Sequence, residues 1–217
     1  MKHPGTSGSA GAVVAVVALL SLWGTTGSLR AAEAGEHDQH SHHHIAVSDA
    51  GVKRSVGNYL IPQVTLTRQD GAQVDLASEL DGGKPVILAF IYTSCTTVCP
   101  MTSQVLSQTQ EMLGKDADKV RIVSVSIDPE YDTPARLREY RQKFAAREGW
   151  QYYTGTSQAS VAVQKAFQAF RGDKMDHAPL IFLNQGNGNS WVRLEGFPTA
   201  KQVMSEYLNL TQSVSGG

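Results

Sequence analysis

Charge of one sign is what this 217-residue chain lacks first: 19 Lys and Arg against 20 Asp and Glu leave a formal net charge of −1. The basic residues are scattered, so no field is available to draw in nucleic acid or anionic lipid, and nucleic-acid binding is excluded as a leading function. Internal repeats are missing, and the length suits one domain with a substantial core rather than two. Hydrophobic residues at 41% and charged residues at 18% are ordinary for a globular protein. Cysteine is scarce. There are only two, Cys95 and Cys99, and a bridge between them would close a tiny loop that removes little unfolded-state entropy. That excludes a disulfide-stapled scaffold and points the pair toward chemistry.

One apolar run stands apart from the rest. Lys2 gives a weakly positive start, Ala10 to Trp23 form the run, and Ala32-Glu33-Ala34 offers a small-x-small cleavage pattern. The run is shorter than the ~20 residues that cross a bilayer comfortably. Residues 1–34 therefore read as a signal peptide or, if uncleaved, a membrane anchor, and both readings export residue 35 onward to the periplasm. Residues 35–51 carry His37, His40, His42, His43 and His44 with no apolar period, as a flexible linker does. Imidazoles at that density hold Cu(II), Zn(II) or Ni(II) weakly; an inert linker or an affinity-tag remnant is the plain alternative.

From residue 52 to 212 the pattern is that of a folded domain, with 213–217 as a tail. Val64 to Thr67 and Val74 to Leu76 flank Asp70-Gly71 as a β-hairpin. Val86 to Tyr92 is an apolar, β-branched and aromatic run, as in a central strand buried on both faces. Thr93 to Cys99 forms a loop, and Pro100 opens a helix marked by Met101, Val105, Gln108 and Met112 that ends near Gly114. A second buried strand covers Val120 to Ile127. Thr133 caps the next helix with Pro134 at its first position, and Leu137, Tyr140 and Phe144 face inward. A strand near 151–153 precedes a helix over 158–170 with Val161, Val163, Phe167 and Phe170 inward. Leu180 to Leu183 and Trp191 to Leu194 form a hairpin, and Thr199 to Leu208 closes the chain as a helix. The order predicts an α/β domain with a central mixed sheet flanked by helices, extended by an N-terminal β-hairpin.

Cys95 and Cys99 sit between a buried strand and a helix start, where functional groups gather in open α/β sheets. Unpaired N–H groups and partial positive charge at a helix start stabilise thiolate. Three residues separate the sulfurs, against the two usual in dithiol oxidoreductases, so they can pair as a disulfide or converge on one ion. Thiolate pairs favour soft metals, Cu(I) first and Zn(II) next. A third donor is then needed, and the single histidine of the folded domain is His177. It precedes the strand at Leu180, and in a thioredoxin-like arrangement that loop faces the cysteines. Alone it would read as a surface histidine; Asp176 beside it is a candidate to orient its ring. Asp128, Glu130 and Asp132 suit a turn and helix cap better than a hard-cation site. Met101 and Met175 could offer thioethers, though methionine near such a site more often packs.

Together, Tyr92 to Pro100, Ser126 to Pro134 and Asp176-His177 resemble the Sco/SenC family of copper-binding proteins, from about Ile61 to Leu208. The resemblance implies a thioredoxin-like fold, copper held by Cys95, Cys99 and His177, and a role in assembling the copper A centre of cytochrome c oxidase, by delivering copper, reducing the target's cysteines, or both. The partner it implies is an oxidase subunit or another cuproprotein. One departure stands out: Thr96-Thr97 replace the family's usual Pro-Asp, which removes a like charge beside the sulfurs and loosens the loop. The competing reading is a thiol–disulfide oxidoreductase cycling Cys95 and Cys99. Peroxide reduction ranks last, because no Arg lies near the motif.

Overall fold

The structure, a computed structural model, describes residues 51–212. The expected leader, His-rich linker and tail lie outside them, except for Gly51. In chain order the elements are β1 (Lys53–Asn58), β2 (Thr65–Arg68), β3 (Gln73–Asp75), α1 (Leu76–Leu80), β4 (Val86–Ile91), α2 (Val98–Leu113), β5 (Arg121–Ser126), α3 (Pro134–Lys143), β6 (Trp150–Thr154), α4 (Ser157–Ala166), β7 (Leu180–Asn184), β8 (Ser190–Glu195) and α5 (Ala200–Gln212). All eight strands form one sheet in the order β1-β8-β7-β4-β5-β6-β2-β3. Strands β4, β5 and β6 run parallel, while β7 is antiparallel to β4. This is the mixed α/β sheet that the alternation of strands and helices predicts, and its fold is thioredoxin-like.

Every residue of β4 is buried, because helices cover both faces of the sheet. Successive side chains of a strand point to opposite faces. Ile87, Ala89 and Ile91 meet Leu106 of α2, Leu137 of α3 and Val203 of α5, whereas Val86, Leu88 and Phe90 meet Leu76 of α1 and Val163 of α4. Burying one large apolar side chain in either layer contributes about 1.5–3 kcal/mol. The second layer is built around Phe167, whose ring lies 5.1 Å from both Phe182 and Trp191.

Several expectations are corrected. Helix α2 begins at Val98, so Pro100 stands at the third helical position, where its missing N–H is still no loss. The buried face of α2 is Cys99, Thr102, Ser103, Leu106, Thr109, Gln110 and Leu113. Met101, Gln108 and Met112 point to solvent and Val105 is half-buried. Helix α4 stops at Ala166, where Phe167 caps it, and Phe170 lies exposed beyond it. Strand β1 and the short α1 are additional. β1 carries no apolar alternation, since Val56 faces outward while Ser55 and Gly57 face inward; only its pairing with β8 makes it a strand.

Sheet topology places the functional end. The loop from Tyr92 leaves the C-terminal end of β4, and β5 ends beside it, with Ile91 opposite Ser126. Because β7 runs the other way, with Ala89 opposite Ile181, its N-terminal end lies at the same edge. The chain before Leu180 is thereby delivered to the cysteine loop.

Candidate metal centre

At this edge Cys95, Cys99 and His177 come together, their ligand atoms all within 4.8 Å of one another. The two sulfurs belong to one strand–helix connection. Thr97 occupies the cap position of α2 without a side-chain cap hydrogen bond. The sulfur of Cys95 takes that role: the Cys99 N–H donates to Cys95 Sγ at 3.3 Å. On the other side, the Tyr92 N–H donates to Cys99 Sγ at 3.4 Å. Backbone donors thus aim both sulfurs inward.

Their acidities differ. Burial pushes the Cys95 thiol up, but N–H groups of Cys99 and Thr97 and the side chains of Cys99 and Tyr92 outweigh it, leaving the pKa below the usual thiol value. Burial dominates at Cys99 and holds its pKa well above that value, with the neighbouring Cys95 charge adding to the effect. The helix start therefore activates one thiol, not both. Tyr92 shares the pattern: burial, then its hydrogen bond with Cys95, pushes its hydroxyl up to about 12.

His177 follows a short turn at Lys174–Asp176. Its Nδ1 lies 3.1 Å from the Lys174 carbonyl oxygen. A carbonyl only accepts, so Nδ1 carries the proton and Nε2 presents a lone pair. That Nε2 is 3.3 Å from Cys99 Sγ. Burial lowers the pKa of His177, keeping the ring neutral as a ligand must be. The orienting partner is thus the Lys174 carbonyl rather than the Asp176 carboxylate, which is exposed; the turn through residues 174–176 folds the carbonyl back over the ring and leaves the acid outside.

Three further residues frame the centre. Asp132 is fully buried, accepting from the Thr93 N–H at 3.1 Å, the Thr93 hydroxyl at 2.5 Å and the Ser126 hydroxyl at 2.6 Å. It ties the cysteine loop to the end of β5. Burial raises its pKa despite these donors. Lys174 reaches Asp128 at 2.5 Å, securing the histidine turn. The Tyr92 ring stands edge-on to His177 with centroids 5.3 Å apart. From the sequence, Asp132 reads as part of a turn and helix cap. The available signal was its place after a strand end, next to the strand that leads into the cysteines.

The donor set decides what fits. Two thiols and a neutral imidazole suit a soft or borderline ion. Bonds of about 2.0–2.3 Å would place donor pairs at about 3.5–4.5 Å, so the group closes on an ion with little movement.

A family model described as SCO1/SenC matches residues 53–212. The chain belongs to this family. The SCO1 protein homolog of Bacillus subtilis (strain 168) is 33% identical over 115 residues, 52% of this chain and 58% of that protein. An SCO2-like protein of Rickettsia felis is 30% identical over 122 residues, again 52% and 58%. The matches therefore span little more than half the length of these curated relatives. Among solved structures, ScoI of Bradyrhizobium japonicum, with copper bound, gives a TM-score of 0.51 at 30% identity, covering 61% of this chain and 85% of that one. BsSco, described as a Sco family member with a disulfide switch, gives 0.58 at 30% identity, covering 73% and 96%. A SCO1/SenC family lipoprotein of Bacillus anthracis str. Ames, at 0.63 and 24% identity over 72% and 98%, speaks to the fold alone.

Proposed function

We propose that this SCO1/SenC protein is an exported copper chaperone that holds copper through Cys95, Cys99 and His177 and passes it to a cuproprotein, the copper A centre of cytochrome c oxidase being the foremost target. The observation that carries the reading is the neutral Nε2 of His177 lying 3.3 Å from Cys99 Sγ, across 78 residues of chain. A dithiol exchanger has no use for that imidazole; a copper site with two thiolates does. Copper, when bound, is the cargo, and the protein supplies donors, their orientation and a largely buried setting. The Lys174 carbonyl fixes the tautomer, the α2 start and Tyr92 N–H aim the sulfurs, and Asp132 holds the loop that carries them. The copper-bound Bradyrhizobium japonicum relative supports the choice of ion. Export rests on the leader-like residues 1–34, and N-terminal sequencing of the mature protein tests it.

The test is reconstitution with Cu(I) under reducing conditions, wild type against His177→Ala. Affinity should fall roughly 10–100-fold or more, the range typical for disturbed metal shells. Unchanged affinity and stoichiometry would remove the proposed ligand set.

A second reading, reduction of target cysteines, is favoured by the split acidity of the thiols. Cys95 thiolate would attack a target disulfide and release one target thiolate. The Cys99 sulfur would then attack Cys95, freeing the second target thiol and leaving a Cys95–Cys99 disulfide for an external thiol reductant to reset. The relative with a disulfide switch makes this a companion activity worth measuring through the potential of the couple.

A further inference from the structure

Copper has to reach two sulfurs that solvent barely touches: Cys99 is 0% exposed and Cys95 7%. Two methionines flank these ligands in sequence and are exposed, Met101 at 43% and Met175 at 71%, and it is Met175 whose sulfur meets a residue of the site. Met175 is 71% exposed, two positions before His177, so the packing explanation that usually accounts for methionine does not hold for it. Its Sδ is not adrift, because the Tyr92 hydroxyl lies 3.5 Å from it. The same residue reaches the inner ligands: its N–H donates to Cys99 Sγ at 3.4 Å, and its ring stands edge-on to His177. One tyrosine thus joins the exposed thioether to a thiol and the imidazole of the inner site. The turn that presents Met175 is fastened by the Asp173 carboxylate, which accepts the Met175 N–H at 2.9 Å, and by the Lys174–Asp128 ion pair.

We propose, building on the copper reading above, that Met175 Sδ is the outer copper ligand of this chain, taking Cu(I) from its carrier before the ion moves inward to Cys95, Cys99 and His177. A thioether is a neutral soft donor. It binds Cu(I) or Ag(I) and discriminates against Zn(II) and other harder ions. The transfer is a ligand exchange in which sulfur lone pairs replace one another on the metal and no electron moves. Weak binding at Met175 is what the step needs, since the ion must leave it for the thiolates. The rim therefore filters for soft monovalent metal ahead of a buried site that would also accept zinc.

Two measurements on the full, reduced chain test this. In the first, Cu(I) is presented as its bicinchoninate complex, and loading is followed by stopped flow for wild type and Met175→Leu. Loading should slow roughly tenfold, as changes around a metal site commonly do, while equilibrium affinity stays near wild type; loading at the wild-type rate overturns the proposal. In the second, the methionine methyl carbons are followed by NMR in Cys95→Ser/Cys99→Ser during Ag(I) titration. The Met175 methyl should shift before those of Met101 and Met112. A slowed Met175→Leu with no such shift also overturns it, because the defect would then lie in the turn. Failure of the underlying copper reading looks different: His177→Ala and the double serine variant would keep wild-type copper affinity whatever Met175 does.

Discussion

Asp132 shows how a single side chain sets the site without belonging to it. Three donors converge on a carboxylate with no solvent contact, and Asp132→Ala would strand them. A buried unpaired donor costs about 1–3 kcal/mol, so a loss of about 2–4 kcal/mol is expected in urea unfolding. Its pKa is raised in the fold, so the native state holds the proton more tightly than the unfolded chain. That contribution is full below the unfolded value near 3.8 and is lost as pH rises through the folded value. Wild type should therefore lose stability relative to the non-titrating Asp132→Asn as pH climbs from acid, and a flat difference would contradict the assignment. The thiols offer a second check. With Cys95 depressed and Cys99 raised, limited iodoacetamide at neutral pH should label Cys95 first, by roughly tenfold or more in peptide mass spectra.

At the level of elements, the turn between β7 and β8 shows what the far end of the sheet demands. Gly186 has φ +85, and a β-carbon there would stand 2.0 Å from the Lys84 carbonyl oxygen. Gly186→Ala combines a left-handed backbone with a backbone clash and should cost more than about 2 kcal/mol. Copper stoichiometry should not change, because the cysteine loop is at the opposite end of β4. Elements with a strong pattern were legible in the sequence: the all-apolar β4, the Thr133-Pro134 start of α3, and the β7–β8 hairpin. β1 was not, because Lys53, Arg54 and Asn58 give no period and its partner β8 lies more than a hundred residues away. The site was partly legible. The grouping of Cys95, Cys99 and His177 was, since the folded domain holds two close cysteines and one histidine; the group that orients the imidazole was not, since Lys174 acts through its backbone carbonyl, which every residue possesses.

For the whole molecule, binding and stability are one quantity measured twice. A ligand held only by the native state at about 1,000 times its Kd adds roughly 4 kcal/mol. For a domain of this size that corresponds to a rise of roughly 10 °C in Tm. Calorimetry with and without Cu(I) should show such a shift in wild type and lose most of it in His177→Ala. The 78-residue separation between Cys99 and His177 has a mechanical corollary. A bound ion would fasten the chain into a ring enclosing nearly all of α2 together with β5, α3, β6 and α4, with both termini outside it. Pulled from its ends in an optical trap, the loaded protein should give up β1 and α5 while hiding the contour length of that ring, releasing it in one late step when a metal–ligand bond ruptures.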